Sequence, residues 1–224
     1  MRLKIAAFMA AFVVSAPAQA QVLWSNGTSP SYGGVANQYY TGSNPVWDYR
    51  AYDNFTLSQA STITGLFGNY QNANGAPADW TQGYFEIRTG MSAGNMGSLV
   101  TSGSGAFAPT SVNYYEFYSE LLGLNINLAA GNYWLYLAPV VSTHETWAVF
   151  SSMVNAATNS VNAVQDNQFL WRNAQFDPGG PVDFNNADLA VGAFGTVATP
   201  EPSSVLLIAS GLGLVGFVTR RRKA

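Results

Sequence analysis

Acidic side chains are the residues of this chain whose types and spacing could bind a metal. Asp183 and Asp188 bracket Phe184 and two asparagines, and Asp48 and Asp53 could add oxygen ligands from elsewhere in the sequence. Calcium prefers such carboxylate and amide oxygens. The EF-hand spacing is not met, because no glycine stands at the sixth position and no glutamate at the twelfth. Structural calcium is therefore a hypothesis, a solvated loop is its alternative, and no cofactor is required.

Catalytic chemistry has weaker support. Glycoside hydrolysis needs two carboxyl groups about 5–9.5 Å apart, whereas Glu116 and Glu120 would lie about 13 Å apart along a strand. The single histidine, His144, follows a predicted strand in a polar segment, and the G-x-S-x-G motif is absent. The chain has no cysteine, which excludes thiol catalysis. We expect no enzyme and no catalytic residue; a secreted glycan-active enzyme is the least favoured alternative.

Tryptophans suggest a different use of the surface. Trp47, Trp80, Trp147 and Trp171 stand beside polar or turn residues, whereas Trp134 lies in the middle of a predicted strand. Exposed rings on a rigid platform could stack on the faces of sugars. The alternative is that these rings pack inside the fold, as tryptophan usually does. A carbohydrate-binding module is therefore a second hypothesis for function.

The elements that must position these residues are predicted to be short strands. Apolar and polar residues alternate in short runs between turn residues, and no long helical periodicity is present. This pattern predicts an all-β fold, an antiparallel β-sandwich of jelly-roll type. The segments 124–128 and 133–137, with Gly131 and Asn132 between them, predict a hairpin. The predicted inward-facing side chains are Phe55, Phe85, Ile87, Phe117, Trp134 and Tyr136.

The N-terminus has the three parts of a secretory signal peptide. Arg2 and Lys4 precede an apolar run over residues 5–14, and Ala18 and Ala20 form a small-residue cleavage site. Ten apolar residues are too few to span a membrane. We expect signal peptidase to remove residues 1–20 and to leave a single ectodomain over residues 21–199.

The predicted ectodomain is strongly acidic. Its three arginines minus its eleven carboxylates give a formal charge of −8, against −3 for the whole chain. Phosphate binding requires clustered lysine and arginine, so we expect no nucleic-acid partner. Neutral sugars and divalent cations stay compatible with this charge.

The C-terminal residues 200–224 combine three features in a fixed order. Pro200, Glu201 and Pro202 precede an apolar segment of about residues 203–218, and the basic cluster that follows holds Arg220, Arg221, Arg222 and Lys223. As a helix, the apolar segment would span about 24 Å, against a hydrocarbon core of about 30 Å. The basic cluster keeps the end of the chain on the cytoplasmic side. A short transmembrane helix that is later removed fits this length.

These tail residues strongly resemble the PEP-CTERM sorting signal. The resemblance implies processing by a membrane-embedded exosortase in Gram-negative bacteria that produce polysaccharide. The blocks AYDNFTL, LAAGNYWLYL and DLAVGAFGT also look like β-sandwich ectodomains that precede such tails, which implies a fold and no activity. We expect an inner-membrane-anchored precursor, then a non-enzymatic protein of the cell surface or extracellular matrix, associated with exopolysaccharide.

Overall fold

The computed structural model describes residues 20–27, 33–43, 47–72, 80–112, 115–142, 149–154, 160–164, 166–173, 177, 180–184 and 187–198. All of its strands belong to one compact unit, Gln19–Val197. Within the described part of the chain, no helix is long and apolar enough to span a membrane. The predicted signal peptide up to Gln19 and the whole predicted sorting tail lie outside the described residues.

Short extended segments form all of the regular structure described. The strands are β1 Gln21–Ser25, β2 Gly34–Ala36, β3 Tyr39–Tyr40, β4 Tyr49–Leu57, β5 Ser61–Gln71, β6 Gln82–Thr89, β7 Ser98–Ala106, β8 Pro109–Ser111, β9 Glu116–Leu128, β10 Gly131–Val141, β11 Phe150–Val154, β12 Phe169–Asn173, β13 Val182–Phe184, β14 Asp188–Leu189 and β15 Val191–Val197.

The first sheet is built around β5. One edge of β5 pairs with β9, and the other pairs with β15 and, at its end, with β11. Strand β1 extends the sheet beyond β15, β8 pairs with β9, and β2 and β14 pair with β11. All of these pairs are antiparallel.

The second sheet has the order β13-β12-β4-β10-β6-β7. Its neighbours are antiparallel, apart from a short parallel pairing of β3 with the end of β10. Two antiparallel sheets with a shared apolar core confirm the predicted all-β, sandwich-like fold.

Aromatic and aliphatic side chains fill the space between the sheets. Phe55, Phe85, Ile87 and Phe117 are buried there, as predicted, against Ile63 and other residues of β5. Each such side chain contributes about 1.5–3 kcal/mol through removal of its surface from water. The core therefore holds the two sheets together.

The predicted phase of β10 was wrong. Tyr133, Leu135 and Leu137 point into the core between the sheets, whereas Trp134 and Tyr136 point to the opposite face of the second sheet. Tyr136 is fully buried there, and Trp134 is only partly buried. Large apolar side chains stand on both faces of β10, so the alternation alone does not show which face meets the other sheet.

The predicted hairpin was also wrong. Strand β9 pairs with β5 of the first sheet, while β10 pairs with β4 and β6 of the second sheet. The link Ala129–Ala130 therefore crosses between sheets, and Gly131 is the first residue of β10. Two neighbouring segments with alternating residues have the same sequence pattern whether they pair in one sheet or belong to two sheets. The local sequence does not show which strand each of them pairs with.

Candidate ligand-binding surface

Two of the tryptophans predicted to bind sugar lie in one row of rings. Trp47 precedes β4, Tyr49 begins it, and Trp171 lies on the neighbouring strand β12. The ring centroids of Trp47 and Tyr49 are 6.3 Å apart, and those of Tyr49 and Trp171 are 5.9 Å apart with nearly parallel planes. Phe184 of β13 meets Trp171 edge-on at 6.0 Å. We call Trp47, Tyr49, Trp171 and Phe184 the aromatic strip.

The aromatic strip is partly exposed, and a hydrogen bond fixes one of its rings. Trp47, Tyr49 and Trp171 are each partly buried, and Phe184 keeps 39% of its surface exposed. The indole Nε1 of Trp171 donates a hydrogen bond to the carbonyl oxygen of Ala36 at 2.9 Å, which fixes the ring. Flat rings held this way offer apolar area at little cost in side-chain entropy.

The other two candidate tryptophans do not join the strip. Trp80 is 1% exposed and meets Tyr70 and Phe117 edge-on in the core, so it presents no ring face to a ligand. Its burial follows from the apolar neighbours that the fold brings around it, which the polar residues beside it in sequence do not reveal. Trp147 lies outside the described residues, as does His144.

The four aspartates of the calcium hypothesis lie in different surroundings. Asp183 is exposed on the edge strand β13, and Asp48 pairs with Arg50 at 2.8 Å. Asp53 is fully buried and accepts hydrogen bonds from Asn26 Nδ2 at 2.9 Å and from the backbone N–H of Leu189. Over the described ranges, no group of three or more histidine, cysteine, aspartate or glutamate side chains is arranged to hold a metal.

Asp53 and Asp188 are instead unusual in their protonation. Burial raises the pKa of Asp53 well above its ordinary value. The hydrogen bond from Leu189 lowers this pKa, and the negative charge of Asp188 raises it. Burial and the charge of nearby Asp166 raise the pKa of Asp188 to about 6. Both carboxyl groups therefore hold their protons at higher pH than an exposed aspartate does.

The two glutamates considered for hydrolysis are both on β9, as expected for a strand. Glu116 is buried and accepts a 3.5 Å hydrogen bond from Ser152, while Glu120 accepts one at 2.6 Å from the hydroxyl of Tyr118. Residues i and i+4 of a strand stand about 13 Å apart. Their placement does not bring them to the spacing that glycoside hydrolysis uses.

The sequence did not reveal a second layer on the outer face of the second sheet. Glu86 of β6 accepts hydrogen bonds from Arg50, from Arg88 at 2.7 Å, from Tyr52 at 3.0 Å and from Tyr84 at 3.3 Å. The guanidinium of Arg50 also lies over the ring of Tyr136, 5.6 Å from its centroid. We call Arg50, Tyr52, Tyr84, Glu86, Arg88 and Tyr136 the arginine–tyrosine layer.

The loop between β6 and β7 lies across this layer. Met91 is buried against Tyr52 and Tyr136, and Arg88 donates a 3.1 Å hydrogen bond to the carbonyl oxygen of Met96. Arg172 of β12 contacts the sulfur of Met96 at 3.4 Å. The alternation of tyrosine, glutamate and arginine on β6 was the available signal, although it indicates a solvated face as readily as a covered one.

The pKa of Glu86 reports how this layer is balanced. Burial by itself would raise it, but the hydrogen bond from Arg88 and the charges of Arg50 and Arg88 lower it below its ordinary value. Glu86 is therefore an ionised carboxylate that holds two cations in place.

The comparisons with known proteins concern the end of the chain. Residues 198–223 match the family model of the PEP-CTERM protein-sorting motif. The chain carries this sorting motif. The PEP-CTERM match confirms the resemblance of the tail, and it supports an exported protein that is sorted by an exosortase through a membrane-anchored precursor. No curated protein matches the chain.

Proposed function

We propose that the mature protein is a non-enzymatic component of the cell surface or extracellular matrix that binds exopolysaccharide through the aromatic strip. The PEP-CTERM motif supplies the destination. The observation that carries the binding activity is the row of half-exposed rings at Trp47, Tyr49 and Trp171. Stacking on such rings uses the apolar faces of sugar rings, and nearby polar groups add orientation.

The charge of the ectodomain supports a neutral rather than an anionic polysaccharide. Its formal charge of −8 repels uronate or sulfate groups at low ionic strength. Aromatic stacking needs no charge on the ligand, so a neutral glycan is the better partner. Binding that is insensitive to salt is therefore expected.

The test of the binding activity is affinity electrophoresis of the exported form through gels that contain a neutral polysaccharide. Dextran, a mixed-linkage β-glucan and a galactomannan serve as probes, with alginate as the anionic control. We expect retardation by at least one neutral probe, and loss of most of it in Trp171→Ala. Tyr115→Ala is the matched control, because Tyr115 is 58% exposed and is not part of the strip. Equal retardation of wild type and Trp171→Ala would remove the strip from this role.

A second test concerns the route of export. Replacement of Pro200, Glu201 and Pro202 by alanine should leave membrane insertion intact but block release, so that uncut precursor accumulates in the inner membrane. Intact-mass analysis of the exported wild type should give an N-terminus at Gln21 if signal peptidase cuts after Ala20. Export of the triple variant with wild-type mass and yield would contradict exosortase processing.

We also propose that the sandwich is a jelly roll. Supporting this, the first sheet contains the order β1-β15-β5-β9 and the second contains β4-β10-β6-β7. Two interleaved Greek keys of eight strands give such orders. In this scheme the chain changes sheets at most of its connections, as at Ala129–Ala130.

A further inference from the structure

The end of β4 opposite the aromatic strip lies between two clefts. One cleft has a volume of about 340 Å³ and is lined by residues that include Asn54, Asn132 and Trp134. The other has a volume of about 320 Å³ and lies beside the strand ends of the first sheet. Thr56 and Val164 line both clefts, so the two adjoin along the segment 162–164.

The polar lining of both clefts is free of charge. Within the part of the chain that the structure describes, each polar side chain that lines them is an amide or a hydroxyl, apart from the phenol of Tyr133 and the indole N–H of Trp134. The members are Gln21, Asn54, Thr56, Ser58, Gln59, Ser61, Asn132 and Asn162. Amides and hydroxyls donate and accept hydrogen bonds without requiring a counter-ion. A ligand that matches them carries many hydroxyl groups and no charge.

Asn54 lines the first cleft with an amide of fixed orientation. Its Nδ2 donates a 2.7 Å hydrogen bond to Asp166, which fixes the orientation of the amide. Its Oδ1 is shielded from water and has no hydrogen-bond partner among the described residues. An oxygen that is closed to water is also closed to a ligand hydroxyl, so the group of Asn54 that is available to the cleft is its amide nitrogen, which Asp166 holds in one orientation.

The neighbouring side chains are oriented for the same kind of ligand. Thr56 donates a 2.8 Å hydrogen bond to Oδ1 of Asn132, which turns the amide nitrogen of Asn132 away from Thr56. Trp134 lies in register between Asn54 and Arg88 and is only partly buried. An indole edge or face beside fixed amides is a common arrangement in ligand sites that combine apolar area with a few polar groups.

We propose that the two clefts form one groove that binds a neutral oligosaccharide, and that the exported protein is therefore bivalent for polysaccharide. The second half of this proposal rests on binding by the aromatic strip. Tyr49 and Thr56 are seven residues apart on β4, which places the strip and the groove about 23 Å apart at 3.3 Å per residue. Two sites at that distance bridge two polysaccharide chains, so the protein acts as a cross-link within the matrix.

The experiment compares binding with cross-linking for the exported form on dextran, β-glucan and galactomannan. Affinity electrophoresis reports binding, and light scattering of dilute polysaccharide after addition of protein reports cross-linking. The groove variants are Trp134→Ala and Asn132→Ala, and the strip variant is Trp171→Ala. Asn127→Ala is the matched control, because Asn127 accepts the same kind of bond from Thr62, at 2.7 Å, on the first sheet. Thermal unfolding confirms that each variant is folded.

We expect wild type and Asn127→Ala to bind and to raise the scattering. Groove and strip variants should each keep part of the binding, with roughly tenfold weaker apparent affinity, and should lose the rise in scattering. If the groove variants cross-link as well as wild type does, the groove is not a binding site. If Trp171→Ala also abolishes all binding, the aromatic strip is the single site. If only the groove variants lose binding, the groove stands and the strip fails. No binding of any neutral probe by wild type overturns both.

Discussion

Both faces of the second sheet bury large side chains, but the groups that surround these side chains differ between the two faces. On the inner face, Leu135 and its neighbours pack into an apolar core, and the buried carboxyl group of Asp53 beside Leu135 is paired with Asn26 and with the backbone of Leu189. On the outer face, Tyr52 and Tyr136 are equally buried, yet they lie among arginine and glutamate side chains under a methionine-containing loop. The inner face gains stability from the area removed from water. The outer face must in addition pair several charged side chains that are largely removed from water.

The charges of the outer face are few and concentrated. The predicted ectodomain has three arginines, Arg50, Arg88 and Arg172, and all three contact this layer or its loop. Glu86 accepts four hydrogen bonds there. A chain with only 9% charged residues therefore concentrates the arginines of its ectodomain at one layer, where Arg88 and Arg172 contact the covering loop. Surface solvation is left mostly to amides and hydroxyls.

The largest difference between the faces should appear on β10. Leu135→Ala, on the inner face, should lower the free energy of unfolding by about 3 kcal/mol, because it leaves a cavity in the core. Trp134→Ala, on the outer face, should cost only about 1–2 kcal/mol because its ring is partly exposed. Urea unfolding of both variants checks the order. A larger loss of stability for Trp134→Ala would instead indicate that Trp134 faces the core, as expected from the sequence.

Strands β4 and β10 show how far the alternation of residues predicted the structure. On β4 the alternation correctly placed Phe55 in the core, because the residues on either side of it, Asn54 and Thr56, are polar. On β10 both faces carry large apolar residues, so the same rule gave the wrong phase.

The candidate site was likewise predictable only in part. Trp47 and Trp171 were identified from their polar neighbours in sequence, and the fold joins them through Tyr49. Trp80 had similar neighbours but is buried, because strands distant in sequence surround it. The uncharged lining of the groove comes from five separate parts of the chain and has no local signal.

A second contrast removes the anion on the outer face. Glu86→Gln should lower the free energy of unfolding by about 2–3 kcal/mol, because Arg50 and Arg88 then stay partly buried without a carboxylate between them. Glu120→Gln is the control, since Glu120 accepts its bond from Tyr118 at a less buried position. Chemical denaturation measures both. Equal, small losses would mean that solvent screens the layer and that packing alone holds the loop.

The third contrast is the response to acid of the buried carboxyl groups. The pKa of Asp188 is raised to about 6, whereas its value in the unfolded chain is about 4. Between about pH 4 and pH 6 the folded state therefore keeps the Asp188 proton that the unfolded chain has already released. The free energy of unfolding consequently rises by about 1 kcal/mol as the pH falls from 7 to 5. Asp53 acts in the same direction, and Glu86, with its lowered pKa, loses its contribution only in stronger acid.

Thermal unfolding at pH 7 and pH 5 measures this response. Wild type should have the higher Tm at pH 5, and Asp188→Asn should reduce the difference. Asp183→Asn, at an exposed position of β13, should leave it unchanged. A wild-type Tm that falls between pH 7 and pH 5 would show that other groups dominate the proton balance.

The smallest contrast separates two tyrosines of the same layer. The hydroxyl of Tyr136 is buried and has no hydrogen-bond partner among the residues described, whereas that of Tyr52 donates to Glu86 at 3.0 Å. Tyr136→Phe should leave the free energy of unfolding unchanged or raise it by up to about 1 kcal/mol, since it removes an unsatisfied polar group. Tyr52→Phe should lower it by about 1–2 kcal/mol, because a charged acceptor loses a donor. Urea unfolding of the two variants in parallel gives the signs directly. A loss for Tyr136→Phe as large as that for Tyr52→Phe would mean that the Tyr136 hydroxyl has a hydrogen-bond partner of its own.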